Sequence, residues 1–166
     1  MSDHAGATLV SGAVTVTVSD ERDAGTADAE RWGSVVLSTA LAEGVSEGTI
    51  DVIFVDEATI AELNETHMGS AGPTDVLSFP LDDGTEPDLE LPGMVPHVGD
   101  IVLCPSVAEA QAPSHAGNLD AEMTLLLVHG VLHLLGHDHA EPDETTLMRE
   151  RECVHLERYQ IAHPTP

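Results

Sequence analysis

Leu119-Asp120-Ala121-Glu122-Met123-Thr124-Leu125-Leu126-Leu127-Val128-His129-Gly130-Val131-Leu132-His133-Leu134-Leu135-Gly136-His137-Asp138-His139 is the most apolar stretch of the chain, and it carries four of the ten histidines. From Leu119 to Leu135 apolar residues fall on nearly every helical face, which predicts a helix buried at the centre of the fold. His129 and His133 are four residues apart and so share one face of it. Two unpartnered imidazoles in such a place would be costly, and coordination of a metal in a cleft removes that cost. Gly136 lets the chain leave the helix by a left-handed turn, after which His139 can swing back. The spacing HxxxHxxGxxH then offers three neutral imidazoles and one open position, the donor set of a catalytic zinc. His137 is the bystander, expected to face solvent.

Among ten histidines a lone HxxxH pair carries little information; the third histidine at this offset, with the glycine between, makes the pattern specific. Zinc peptidases of the HExxH type place a general-base glutamate directly after the first histidine. Here that position is Gly130, so the pattern supports the metal and speaks against peptide cleavage.

Working outward, Val14, Val16 and Val18 alternate with Thr15 and Thr17 as a half-buried strand, after a loose lead-in over residues 1–12. A helix is predicted over 27–43, with Trp32, Val35, Val36 and Ala40 as its inner stripe and its end near Gly44. Ile50 to Val55 reads as a more central strand, and Asp56 as the N-cap of a helix to about His67 that turns Ile60 and Leu63 inward. Val76 to Phe79 is a short strand stopped by Pro80. Residues 80–98 hold four prolines and five acidic residues without periodicity and read as an exposed loop, a lid or an insertion. Ile101 to Cys104 is a strand opened by Gly99-Asp100, and Pro105 suits the first turn of a helix to about Ala112. Asn118 or Asp120 caps the histidine helix, and Pro142 opens a last helix to about Ile161. The expectation is one α/β domain over residues 1–166, a mixed four-stranded sheet with about five helices.

Composition bounds the function. The chain has 166 residues, 42% of them hydrophobic, enough for one core, and no apolar run of membrane-spanning length. Its start lacks the features of a signal peptide. Cys104 and Cys153 stand outside any CxxC motif, as reduced thiols of a cytoplasmic protein would. Thirty acidic residues face five arginines and no lysine, for a net charge of −25. Such a surface repels polyanions at long range and argues against generic nucleic-acid binding and against DNA as a partner. Adaptation to a salty interior explains it more simply than a cationic partner does.

Three segments, Pro73-Thr74-Asp75-Val76-Leu77-Ser78-Phe79-Pro80, Gly99-Asp100-Ile101-Val102 and HGVLHLLGHDH from His129 to His139, stand in the order and spacing of the YbeY family of bacterial endoribonucleases. The chain closely resembles that family from about residue 50 to residue 160. The resemblance implies a single-strand-specific, metal-dependent endoribonuclease. It implies work in forming the 3′ end of small-subunit ribosomal RNA and in quality control of defective ribosomes, with ribosomal RNA and the small subunit as partners. Carried over by position, His129, His133 and His139 hold one Zn2+ per chain. Asp75 reads either as a strand-end cap or as a site residue, Asp100 as a hydrogen-bonding residue, and Ser78 as a plain strand residue. Many members carry an arginine four residues after an asparagine in the segment before TDVLSFP; here Asn64 is followed at that offset by Met68. Arg149 or Arg151 could stand in, unless they pair with Glu150 or Glu152.

Zinc on three histidines keeps a position for water and can lower its pKa to about 7. Attack by that water and attack by the ribose 2′-OH both remain open. Asp138 is expected to orient a histidine ligand by accepting its other N–H, and is the candidate catalytic carboxylate for proton transfer. With only Trp32, Tyr159, Phe54 and Phe79 as aromatics, stacking on single strands is sparse. The alternatives are a zinc hydrolase of another substrate, peptidase-like, and a non-enzymatic ribosome-assembly factor with a structural zinc.

Overall fold

The valine–threonine alternation behaves as a half-buried strand should. In the computed structural model, which describes residues 6–22, 28–80, 95–137 and 140–164, β2 (Ala13–Asp20) buries Val14, Val16 and Val18 and turns Thr15 and Thr17 the other way. β3 (Glu47–Phe54) buries Ile50, Val52 and Phe54 on the same face, and β5 (His97–Leu103) adds Ile101 and Leu103. β2, β3 and β5 run parallel, while β1 (Gly6–Ser11) and β4 (Val76–Pro80) pair antiparallel at the two edges, in the order β1-β2-β3-β5-β4.

The sheet is mixed, as expected, but has five strands rather than four. Residues 6–11, read from sequence as part of a loose lead-in, fold back on β2 through Gly12, whose φ of 59° suits a tight left-handed turn. Backbone pairing holds this edge strand, and Leu9 lies over Gly33 of α1 (Ala29–Ala42). Its weak apolar alternation hid it. The expected 80–98 loop is also shorter than read, because Pro80 pairs with Gly99 and β5 begins at His97; residues 81–94 lie outside the described ones.

Helix ends follow local chemistry. Asp28, Asp56 and Asn118 accept hydrogen bonds from backbone N–H groups of Arg31, Thr59 and Ala121, capping α1, α2 (Glu57–Met68) and α4 (Leu119–Leu134). Pro105 and Pro142 sit in the first turns of α3 (Pro105–Gln111) and α5 (Pro142–Glu157). The last helix ends at Glu157, short of the expected Ile161, since Gln160 turns left-handed at φ 58°.

α1 and α4 cover one sheet face, where Val36, Ala40, Leu127 and Val131 meet Ile50, Val52, Phe54, Ile101 and Leu103. α2 covers part of the other, packing Ile60 and Leu63 with Ile53, Val102 and Cys104. α5 closes over α4 from outside, so α4 is enclosed on nearly every side, as its composition predicts. The helix approaches β5 closely at Gly130: a Cβ there would stand 3.1 Å from a methyl carbon of Ile101, itself fully buried. Both cysteines are free thiols.

Candidate metal centre and its cleft

One face of α4 carries the first two predicted ligands. His129 and His133 lie one turn apart, their rings meet edge to face, and their Nε2 atoms stand 3.0 Å from each other. Two nitrogens bound tetrahedrally at the usual zinc distance would be roughly 3.3 Å apart, so the pair fits a shared cation. After Leu134 the chain leaves the helix as expected: Gly136 takes φ 98°, and His137 N–H donates to the Leu132 carbonyl at 3.0 Å. His139, the third predicted ligand, and Asp138, the predicted orienting and proton-transfer carboxylate, lie outside the described residues.

An orienting carboxylate that the motif did not suggest comes from α5. Glu152, buried, lies 3.5 Å through Oε1 from His129 Nδ1, and its Oε2 accepts from His163 Nε2 at 3.2 Å. Burial works against the charge of Glu152, but the hydrogen bonds from His129 and His163 outweigh it and hold the carboxyl below the ordinary glutamate range. A proton kept on Nδ1 leaves the Nε2 lone pair of His129 for a metal.

These groups open into a cleft of about 640 Å³, shared by His129, His133, Asp75, Ser78, Met68 and Arg149. Met68 lines it where the family arginine was missed, and Arg149 is the one permanent cation among the described lining residues. Arg151 is elsewhere: it pairs with Glu43, not with Glu150 or Glu152. Ser78 is more than a strand residue, since its hydroxyl donates to the Gly130 carbonyl at 3.2 Å. Asp75 both caps and lines. One of its oxygens accepts from Val76 N–H at 2.7 Å, the other from the Gln111 amide at 2.8 Å.

Gln111 continues that link to Glu122, a fully buried carboxylate at the start of α4. Glu122 accepts from Gln111 at 2.9 Å, from Ala116 N–H at 3.1 Å and from His115 Nδ1 at 2.8 Å. Neither His115 nor Glu122 figures in the zinc spacing, and the available signal was an acid in the first turn of an apolar helix, where Asp120 is the exposed one and Glu122 the buried one.

His137 does not simply face solvent. Its Nε2 lies 3.7 Å from Glu43, which also accepts from Arg151 and, at 2.6 Å, from buried His155. Burial opposes the charge of Glu43, and hydrogen bonds from Arg151 and His155 more than offset it, leaving its carboxyl below the ordinary range. The cluster ties the end of α1 to α5.

A further group that could hold a metal is Asp51, His97 and Asp100, whose ligand atoms lie within 4.8 Å of one another. Asp100 accepts from His97 at 2.8 Å, the hydrogen-bonding role expected of it. Strand alternation puts Asp51 and Asp100 on the sheet face opposite Ile50 and Ile101, hence opposite α4. It is therefore a separate place from the histidine cleft, and half-exposed carboxylates of this kind are common without an ion.

Comparison with known proteins identifies the family. The family model described as Endoribonuclease YbeY matches residues 16–160. Endoribonuclease YbeY of Mycolicibacterium smegmatis is 48% identical over 112 residues, 66% of this chain and 60% of that protein. That of Cutibacterium acnes is 50% identical over 101 residues, 60% of this chain and 64% of that protein. The aligned part thus spans somewhat less than two thirds of these relatives' own length. A Thermotoga maritima protein solved in solution shares the fold, with a TM-score of 0.54 and 22% identity over 89% of this chain and 91% of that one. The chain belongs to the endoribonuclease YbeY family.

Proposed function

We propose that the protein is a zinc-dependent endoribonuclease that cuts single-stranded ribosomal RNA, acting on the 3′ end of the small-subunit RNA and on the RNA of defective ribosomes. The observation that carries this reading is the convergence of His129 and His133 at 3.0 Å in a cleft that Arg149 also lines. His129 and His133, with His139 by the family's pattern, would hold the zinc, which supplies Lewis-acid charge beside the phosphodiester and acidifies water. Glu152 keeps the His129 ring in the tautomer that binding needs. Arg149 offers a forked donor to a phosphate oxygen in the cleft where Met68 stands in place of the family arginine. A Cβ at Gly130 would stand 3.1 Å from buried Ile101, so the glutamate of a peptidase would crowd the sheet there, and the reading as a peptide hydrolase gains nothing from the fold.

A net charge of −25 makes free RNA a poor ligand at low salt. Affinity comes instead from the metal, from Arg149 and from a ribosomal particle that presents the strand, which puts the work in the cytoplasm. No helix among the described residues is long and apolar enough to cross a membrane. The test pairs metal analysis of the purified protein with mapping of small-subunit RNA 3′ ends after depletion. One zinc per chain and accumulating precursor are expected; normal ends in depleted cells would overturn the reading.

A further inference from the structure

We infer that His115, held by Glu122, rather than Asp138 of the zinc motif, is the group that takes the proton from the attacking hydroxyl. The inference rests on the endoribonuclease reading above and adds a catalytic residue to it.

Glu122, His129 and His133 fall at i, i+7 and i+11 of α4, so all three project from one face of the helix. Glu122 lies two turns, about 10 Å, N-terminal to His129. Its carboxylate is wholly buried, yet it has donors on every side that the fold offers: Gln111, Ala116 N–H and His115. A buried carboxylate at the head of an apolar helix is costly unless so satisfied. Gln111 in turn is fixed by Asp75 at 2.8 Å, so the pair is braced from β4's entrance as well as from α4.

The bond to Glu122 uses Nδ1 of His115, which therefore carries the proton, and leaves Nε2 as the acceptor of the neutral ring. Nε2 has no hydrogen-bond partner among the described residues. The ring is 46% exposed and lines the same cleft as His129, His133 and Arg149. A carboxylate that fixes the tautomer of a solvent-reaching imidazole is the arrangement of a general base and its orienter. In the step, the attacking oxygen of water or of the ribose 2′-OH forms its bond to phosphorus and gives its proton to Nε2. The P–O5′ bond breaks, and the 5′-oxygen leaves with the electron pair and takes a proton from solvent. His115 then returns its own proton to water. Glu122 is a positioning residue, without contact to the reacting atoms.

The experiment uses zinc-loaded full-length protein and small ribosomal particles carrying precursor RNA. His115→Ala and His115→Gln are expected to keep the wild-type metal content, to melt somewhat lower because buried Glu122 loses one of its donors, and to lose about 10²–10³-fold in kcat with little change in KM. Added imidazoles should restore His115→Ala at least about tenfold, and more so as their basicity rises. Glu122→Gln should also lower kcat, but without response to imidazole. Undiminished kcat in both His115 variants overturns the assignment and leaves the nuclease reading intact. A rise in KM alone, or loss without rescue, also overturns it, by making His115 a phosphate contact or a structural residue. Failure of wild-type protein to cut the particles overturns the nuclease reading itself, and this inference with it.

Discussion

The hydroxyl of Ser78 donates to the carbonyl oxygen of Gly130 over 3.2 Å, fastening the edge strand β4 to the middle of α4. The bond is possible because Gly130 brings the helix backbone against the sheet, where a side chain would crowd Ile101. The same approach sets the depth at which His129 and His133 meet the cleft. Replacing Gly130 is therefore a test of packing as well as of chemistry. Gly130→Glu, which restores the peptidase pattern, is expected to lower unfolding free energy by about 3 kcal/mol or more through overpacking and burial of a charge. It should show no peptidase activity. Urea unfolding measures the first, and a variant as stable as the parent would contradict the close contact.

His133→Ala is expected to reduce bound zinc from one per chain to a small fraction, and to abolish RNA processing. Chelation of the wild-type protein should lower its melting temperature, since a metal held only by the folded state stabilises it by mass action. Metal analysis and thermal melts with and without chelator decide this; a variant that retains full metal and matures ribosomal RNA would remove the histidine pair from the site.

The two arginines of α5 should separate cleanly. Arg149 lines the cleft, so Arg149→Ala should raise KM about tenfold and flatten the salt dependence of RNA binding while leaving the melting temperature unchanged. Arg151 instead serves Glu43 with His155. Arg151→Ala should cost about 1–3 kcal/mol of stability by leaving that carboxylate short of a donor, with KM unaffected. Reversed phenotypes would show that the cleft is read wrongly.

Acid should unfold the protein through the same carboxylates. Glu43 is held below the ordinary range in the folded state despite burial, by Arg151 and His155, as Glu152 is by His129 and His163. A carboxyl depressed in the folded state binds its proton more weakly there than in the unfolded chain. Its contribution is then present above the unfolded value, about 4.3, and is lost as pH falls through the folded one. Unfolding free energy measured from neutral pH downward should drop below about pH 4.3, and Glu43→Gln should drop less over that window. Parallel curves for the two proteins would remove Glu43 from the account.

A net charge of −25 without lysine predicts stability that grows with salt. Raising ionic strength from about 0.1 M to 1 M shortens the Debye length from about 10 Å to 3 Å and screens the self-repulsion of the acidic surface. The thermal midpoint should rise across that series. An unchanged midpoint would sink the reading as adaptation to a salty interior.

What sequence alone determined was local or strongly patterned. Helical periodicity put His129 and His133 on one face, because residues four apart on a helix must be neighbours. Asp56, Asn118, Pro105 and Pro142 marked helix starts because a cap acts on N–H groups within three residues of itself. The spaced signature pointed to the family. What only the tertiary structure decided was who meets whom across the chain. β1 was missed because an edge strand is held by backbone pairing and needs little apolar alternation of its own. Glu152 reaches His129 from 23 positions away, and Glu122 turns out to hold His115 through a loop. Arg149 and Arg151, two residues apart on α5, part company because a helix sends such neighbours to different faces. One meets the cleft and the other Glu43, a choice set by the packing of α5 on α4 and α1.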